Sequence, residues 1–141
     1  MKAKDYLRQL QKLDRLIENK LAELQQWRAM ATCTTQQLNA DKVQSSGNPQ
    51  KMADAVIKII DIEAEIDRCV DTLVDTKRDV INTLERLNPS EYDLMHKVYV
   101  QNFTLDDYAN TNGKSYGWAK NKHSRALKKV QRMLDERERQ Q

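Results

Sequence analysis

Residues that make tight turns are scarce in this sequence. It has three Gly and two Pro among 141 residues, which disfavours β-sandwiches, barrels and doubly wound sheets, because these folds need many turns. Aromatic residues make up 6% and apolar residues 39% of the chain, below the roughly 45–50% apolar content of typical domains. The composition therefore predicts an all-α protein with a narrow seam or a small core.

Long apolar runs and metal-binding patterns are also missing. No run approaches the roughly 18 apolar residues of a membrane span, and the N-terminus begins an amphipathic pattern rather than a signal-peptide core. We therefore expect a cytoplasmic protein with no membrane partner. Cys33 and Cys69 form no CxxC pair and have no His at ligand spacing, so we expect them to be reduced, half-buried in helices and without a metal.

Sequence features of an enzyme are absent as well. There is no glycine-rich phosphate-binding loop, and the only histidines, His96 and His123, have no acidic or cysteine partner nearby in the sequence. We expect no catalytic residue and no cofactor. We place His123 either at the packing edge of a helix or against a phosphate.

Four of the five Gly and Pro residues fall at three places along the chain. Gly47 and Pro49 lie in one polar stretch, Pro89 follows Asn88, and Gly113 lies in a later polar stretch. Both prolines follow an Asn, which is the pattern of a helix N-cap and a first helical position. Helices are therefore predicted to start at Pro49 and Pro89.

Two heptad patterns run through residues 1–88. Apolar residues recur in steps of three and four from about Lys4 to Leu38, and again from Pro49 to Leu87. Because the connection over residues 39–48 is short, we predict a long antiparallel helical hairpin that resembles a coiled coil. The predicted seam consists of Tyr6, Leu10, Leu13, Ile17, Leu24, Trp27 and Ala31, then Ala55, Ile59, Ile62, Ile66, Cys69, Leu73, Val80 and Leu87.

In the simplest register of this hairpin, facing residues have numbers that add up to about 88. Arg8 then lies near Asp79 and Lys12 near Asp75. These charged residues are equally well explained as parts of solvent-exposed helix faces that form no ion pairs. More apolar residues flank each seam, so we expect a homo-oligomer, most simply a dimer, that forms through the hairpin. The flanking residues are Leu7, Leu16, Leu21, Ile57, Ile60, Val70, Val74 and Ile81.

Residues 89–141 form a second predicted domain. Six of the eight aromatic residues lie between Tyr92 and Trp118, which indicates a compact small core. Thr104 and Asp107 are placed to cap a helix, and Glu91 is placed to close a capping box with Asn88. Three helices are predicted, starting at Pro89, Thr104 and Ser115. The predicted inward residues are Leu94, Met95, Val98 and Tyr99 in the first helix, Leu105, Tyr108 and Ala109 in the second, and Ala119, Ala126, Val130 and Leu134 in the third.

The net charge of +3 is concentrated in this second domain. Between Asn112 and Leu134 there are seven basic residues and no acidic one: Lys114, Lys120, Lys122, Arg125, Lys128, Lys129 and Arg132. A short helix, a turn with Gly113 and a longer basic helix form the pattern of a helix-turn-helix DNA-binding unit. Any single Lys is equally well explained as a solvated residue, but the run as a group favours contact with double-stranded DNA.

The same residues resemble region 4 of sigma-70-type factors, whose motif runs T-x-x-E-I-A, G-x-S, V and R-A-L-x-K-L at matching spacings. The matching segments are Thr104-Leu105-Asp106-Asp107-Tyr108-Ala109, Gly113-Lys114-Ser115, Ala119 and Arg125-Ala126-Leu127-Lys128-Lys129-Val130. This sequence differs from the motif at Asp107, Tyr108 and Ala119, and it has Asn102 where the family usually has Gly. We expect Tyr108 or Trp118 to fill the space that Ala119 leaves.

The whole chain is similar to small phage and prophage proteins of Gram-positive bacteria, described as ArpU-type and RinA-type transcriptional regulators. The resemblance includes Val43-Gln44-Ser45-Ser46-Gly47, Lys51-Met52-Ala53-Asp54-Ala55-Val56, His123 and Ala126-Leu127. It implies a sequence-specific DNA-binding regulator of late phage genes in a bacterial host cell. The candidate DNA-binding residues are Thr104, Lys114, Ser115, Tyr116, Gly117, Trp118, Lys120, Asn121, Lys122, Arg125, Lys128 and Lys129.

Two alternatives stay open. A small terminase subunit also couples a helix-turn-helix to a helical oligomerisation segment, but it forms a large ring and serves DNA packaging. In an interaction protein, the hairpin binds RNA polymerase and the basic helix only assists. Gly117 is also open to two explanations, close approach of the backbone to DNA or a frayed first helical turn.

Overall fold

The computed structural model describes residues 1–40 and 48–141, and it describes side chains outside residues 34–48. This part of the chain forms five helices and no strands, which confirms the all-α prediction for it. Most of the 39–48 connection lies outside the described residues. The helices are α1 (Ala3–Ala40), α2 (Asn48–Leu84), α3 (Pro89–Tyr99), α4 (Leu105–Thr111) and α5 (Tyr116–Gln140).

No helix in the described ranges has both the length and the apolar composition that crossing a bilayer requires. The chain forms two compact units, one from residues 1–13 and 73–141 and the other from residues 14–72. These units are defined by packing, whereas the predicted boundary at residue 88 divides the chain by function. That boundary stays a prediction.

In the unit of residues 14–72, α1 and α2 contact each other through ion pairs. The Lys20 ammonium donates to Glu65, and the Arg28 guanidinium lies 2.7 Å from Glu63. Both pairs lie within three residue numbers of the predicted register. The seam residues that are buried in this unit are Leu24, Ala55 and Ile62.

Several apolar or sulfur-containing side chains of this unit face outward. Cys33 is exposed, so the prediction of a half-buried position is wrong for this residue and confirmed for Cys69. Cys33 follows the seam residue Ala31 by two positions, which is more than half a helical turn, and it therefore faces away from the seam. The exposed flanking residues are Leu16, Leu21, Ile57, Ile60 and Val70.

In the unit of residues 1–13 and 73–141, the start of α1 and the end of α2 share one core with α3 and α5. Leu7, predicted as a flanking residue, is fully buried in this core. The predicted inward residues that are buried in this core, and so confirmed, are Tyr6, Leu10, Val80, Leu87, Met95, Tyr99, Ala126, Val130 and Leu134. Ala3 and Leu84 are buried in it as well, although the sequence patterns do not predict them as inward residues.

A polar network at the edge of this core involves Asp79. The Tyr6 hydroxyl donates to the Asp79 carboxylate, and the Arg137 guanidinium lies 3.3 Å from the same carboxylate. The predicted pair of Arg8 with Asp79 is therefore wrong. Tyr6 lies on the seam and faces α2, whereas Arg8, two positions later, is exposed on another side of α1. Lys12 likewise has no ion pair among the described residues.

The helix ends of this unit follow local sequence signals. Asn88 caps α3, because its side-chain oxygen accepts from the Glu91 backbone N–H at 2.8 Å. Thr104 and Asp107 form the predicted capping box at the start of α4. Asn102 has a φ of 62°, so it adopts the left-handed conformation for which the sigma-type motif uses Gly; Asn tolerates this region better than most residues.

His123 lies at the edge of the same core, as the sequence predicts in one of its two alternatives. Its Nε2 atom is 2.7 Å from the Tyr99 hydroxyl oxygen, and the two rings stack with centroids 5.7 Å apart. Burial lowers the pKa of His123 below its usual 6.5, and the cations Lys4 and Arg8 lower that pKa further. Burial also raises the pKa of Tyr99 to about 12.

We expect His123 to make the fold less stable in mild acid. The unfolded chain binds a proton at this histidine more tightly than the folded chain does. The folded state therefore keeps its full stability above pH 6.5 and loses stability as the pH falls through the lowered pKa of His123 in the folded state. The thermal midpoint should fall from pH 7.5 to pH 5, and His123→Phe, which keeps a stacked ring, should reduce that fall. Thermal unfolding at both pH values measures the effect, with His96→Phe as the control; equal falls in all three proteins would contradict it.

Candidate nucleic-acid interface

The first turns of α5 are held against α4 by stacked aromatic rings. Tyr108 of α4 is buried, and its ring is parallel to that of Trp118, with an interplanar angle of 2° and centroids 5.7 Å apart. Both rings pack with a small cluster that includes Leu94 and Ala119. Tyr108 and Trp118 thus both pack in the cluster that contains Ala119, and their compensation for its small side chain stays a prediction.

Lys122 is ordered by the same rings. Its ammonium lies 4.9 Å from the Trp118 ring centroid and 5.5 Å from that of Tyr108, and it donates to the Tyr108 hydroxyl at 3.2 Å. Cation–π contacts of this kind stabilise by about 0.5–1 kcal/mol when exposed. Two of the predicted DNA-binding residues, Trp118 and Lys122, therefore also hold α5 in place.

The twelve candidate residues all lie in one compact unit. The Thr104 hydroxyl accepts from the Asp107 backbone N–H, and the Ser115 hydroxyl accepts from that of Trp118 at 3.2 Å, so both hydroxyls cap helices. Trp118 and Lys122 are half-buried. The exposed candidates are Thr104, Lys114, Ser115, Tyr116, Gly117, Lys120, Asn121, Arg125, Lys128 and Lys129.

A groove of about 680 Å³ lies between the first turn of α3 and one side of α5. Five basic residues of α5 line it, because spacings of three and four place them on a single stripe of the helix. Arg132 belongs to this stripe although it is not among the twelve candidate DNA-binding residues. The lining residues are Lys122, Arg125, Lys128, Lys129 and Arg132, with Trp118 and Asn121 from α5, Ser90 and Glu91 from α3, and the α3 cap Asn88.

Glu91 is the acidic residue that lines this basic groove. Only 7% of the residue is exposed, and its Oε1 atom accepts from the Lys129 ammonium and from the Asn88 side-chain amide. Its Oε2 atom is buried and has no hydrogen-bond partner. The predicted capping box is thus half formed, because the Glu91 carboxylate accepts a hydrogen bond from the Asn88 side-chain amide and not from the Asn88 backbone N–H.

The α3 side of the groove was not predicted as part of a DNA-binding surface. The sequence predicts Asn88 and Glu91 only as a helix start. Glu91 lies beside Lys129, 38 residues later in the chain, because of tertiary packing. Within the described ranges, no group of three or more His, Cys, Asp or Glu side chains is arranged to hold a metal ion.

Comparison with known proteins identifies no relative of this chain. No family model, no curated protein and no solved structure matches it.

Gly117 has no structural role in the free protein that would require glycine. A Cβ at this position would contact only the Ser115 hydroxyl oxygen, 4.0 Å away. We therefore expect Gly117→Ala to raise the free energy of unfolding by up to about 1 kcal/mol, because Ala has the higher helix propensity. If the backbone approaches DNA here, which is one of the two explanations of Gly117, the same variant loses DNA affinity. Thermal unfolding and a DNA shift assay separate the two effects, and unchanged affinity would exclude close approach.

Proposed function

We propose that this chain binds specific sites on double-stranded DNA through α4 and α5 and acts as a phage-type transcriptional regulator, most simply an activator of late genes. The observation that carries the proposal is the stripe of five basic residues on α5 that lines the groove. An ordinary surface helix mixes the two signs of charge, whereas the stretch from Asn112 to Leu134 has no acidic residue. A polyanion is the ligand that this charge pattern favours.

The arrangement of α4 and α5 supports duplex DNA as that polyanion. In a helix-turn-helix, the N-terminal turns of the second helix enter the major groove. The corresponding turns of α5 expose Tyr116, Lys120 and Asn121, whose side chains suit thymine methyl groups, guanine and adenine edges respectively. Arg125, Lys128 and Arg132 follow at spacings suited to the flanking phosphates. The proposed unit therefore combines base readout at its N-terminal end with phosphate contacts further along.

A shift assay with duplex DNA over a range of salt concentrations tests this proposal. Each phosphate that a basic residue neutralises contributes about −0.9 to the slope of log affinity against log salt. We expect measurable binding at 50 mM salt and a steep loss by 200 mM. Selection from random duplexes followed by sequencing then shows whether one site is preferred. Absence of binding even at the lowest salt would reject the proposal.

The exposed aliphatic residues of α2 support self-association through residues 1–88. Ile57 and Ile60 are each 59% exposed, and Val56 is 43% exposed on the same helix. Such a cluster on a surface is typical of an interaction site. We propose that it pairs with a second copy of the chain, which would place two copies of α5 on two half-sites of DNA.

Self-association is expected to depend on this cluster. Ile60→Glu puts a charge among aliphatic side chains and should convert a dimer at tens of micromolar into a monomer. Sedimentation velocity measures the change, and Lys58→Glu, which alters an exposed charged residue of α2, serves as the control. A protein that is monomeric without any substitution would contradict the prediction, and a large ring would favour the alternative role in DNA packaging.

RNA polymerase is the partner in the remaining alternative. In that case residues 1–88 bind the polymerase, and the isolated protein binds DNA weakly. Promoter-dependent recruitment by polymerase, with little shift of free DNA, would support this role over direct DNA recognition.

A further inference from the structure

The charge on Glu91 is not explained by helix capping. A capping residue at this position needs an oxygen that accepts a hydrogen bond, and Gln provides one as well as Glu does. Glu91 instead buries a carboxylate, with 9% of its side chain exposed and one oxygen left without a partner. Burial of a charged group destabilises a fold unless a partner compensates it. The partner here is Lys129, which belongs to the proposed DNA-binding stripe.

Lys129 therefore differs from its neighbours on the stripe. Its ammonium is paired with Glu91, although 47% of the side chain is exposed. The other stripe residues form no ion pair among the residues that the structure describes; they are Lys122, Arg125, Lys128 and Arg132. A phosphate in the groove would therefore face four cations without a competing anion, and a fifth that is already neutralised.

We infer that Glu91 limits the affinity of this protein for duplex DNA of any sequence, because it keeps Lys129 from the phosphate backbone. The inference rests on the proposed DNA binding. Phosphate contacts supply nearly all of the affinity for non-specific DNA, whereas base contacts supply the preference for one site. An internal carboxylate that pairs with one cation removes one phosphate contact and leaves base contacts in place. Because every DNA site presents phosphates, the affinities for specific and non-specific DNA are lowered by about the same factor.

Glu91→Gln tests the inference directly, with a random-sequence duplex as the probe. The variant should free Lys129 for a phosphate, which makes the slope of log affinity against log salt steeper by about 0.9. Binding at 50 mM salt should be several-fold tighter than in the unmodified protein, and this gain should shrink by about 3.5-fold at 200 mM. Glu85→Gln, which changes the net charge equally at an exposed residue outside the groove, should leave the slope unchanged.

A second pair of variants does not depend on the folding of Glu91→Gln. Lys128→Gln should make the slope shallower by about 0.9, whereas Lys129→Gln should leave it unchanged, because Lys129 makes no phosphate contact while Glu91 holds it. Circular dichroism establishes that each protein is folded. Equal losses of slope in the two lysine variants would overturn the inference, as would an unchanged slope in a folded Glu91→Gln protein.

The outcomes separate this inference from the proposed function. If the unmodified protein binds DNA and Glu91→Gln has the same slope, only the role of Glu91 fails. If neither protein binds duplex DNA at low salt, the proposed function fails and the inference fails with it.

Discussion

Replacing Arg125, Lys128 and Arg132 together with Gln is expected to abolish most of the DNA affinity at 150 mM salt. These side chains line the groove and form no ion pair within the described part of the chain, so their charges are free to meet phosphates. Each lost contact removes about 0.9 from the salt slope, and the triple variant should therefore have a slope shallower by about 2.7. Shift assays at four or more salt concentrations measure it.

The control for this variant has the same change in net charge at another place. Lys2, Lys77 and Arg78 are exposed residues of the same compact unit and lie outside the groove. Replacing them with Gln should change the slope little. If both triple variants lose the same slope, the affinity reflects overall charge, and the groove has no special part in it. Both variants should have thermal midpoints close to that of the unmodified protein, because a substitution at an exposed residue usually changes the free energy of unfolding by less than about 0.5 kcal/mol.

Leu7→Ala is expected to destabilise the unit that contains α5 by about 2–5 kcal/mol, the range observed for large-to-small substitutions in a packed core. Leu7 is fully buried and belongs to the same cluster as Leu84 and Val130. Loss of its side chain leaves a cavity where the start of α1 packs in the core shared with α5. DNA binding should decline at temperatures where this unit begins to unfold.

Tryptophan fluorescence can follow this unit separately. Trp118 lies in the unit of residues 1–13 and 73–141, and Trp27 lies in that of residues 14–72. In a Trp27→Phe background, urea unfolding followed by Trp118 reports the unit that contains Leu7. Val74→Ala shortens an aliphatic side chain of the same unit that is 48% exposed, so it should shift the midpoint far less. Equal shifts for the two variants would contradict the burial of Leu7.

Much of the fold could be predicted from the sequence because its determinants are local. The Asn-Pro pair gives the start of α3, and Thr104 with Asp107 gives the start of α4. The buried stripe of α5 is also read correctly, since a period of 3.6 residues places its members on one face. That stripe is Ala119, Ala126, Val130 and Leu134.

What the sequence could not predict depends on contacts between distant segments. Leu7 and Leu16 are both Leu residues that flank the α1 seam, yet Leu7 is buried in the core shared with α3 and α5 and Leu16 is exposed. Lys128 and Lys129 are adjacent and chemically identical, yet one is paired with a carboxylate 38 residues away. Arg137 similarly displaces the expected partner of Asp79 from 58 residues away. Helical periodicity contains no information about such pairs.

The stacked rings of Tyr108 and Trp118 have an entropic consequence for DNA binding. Immobilising a long side chain at an interface costs about 0.5–1.5 kcal/mol of rotamer freedom. Lys122 has already lost much of that freedom, because its ammonium is fixed over both rings when the protein folds. In the proposed complex, a phosphate contact by Lys122 would therefore require less further ordering than the same contact by a mobile lysine. The Lys122 ammonium would therefore be preorganised before the α4–α5 unit binds DNA.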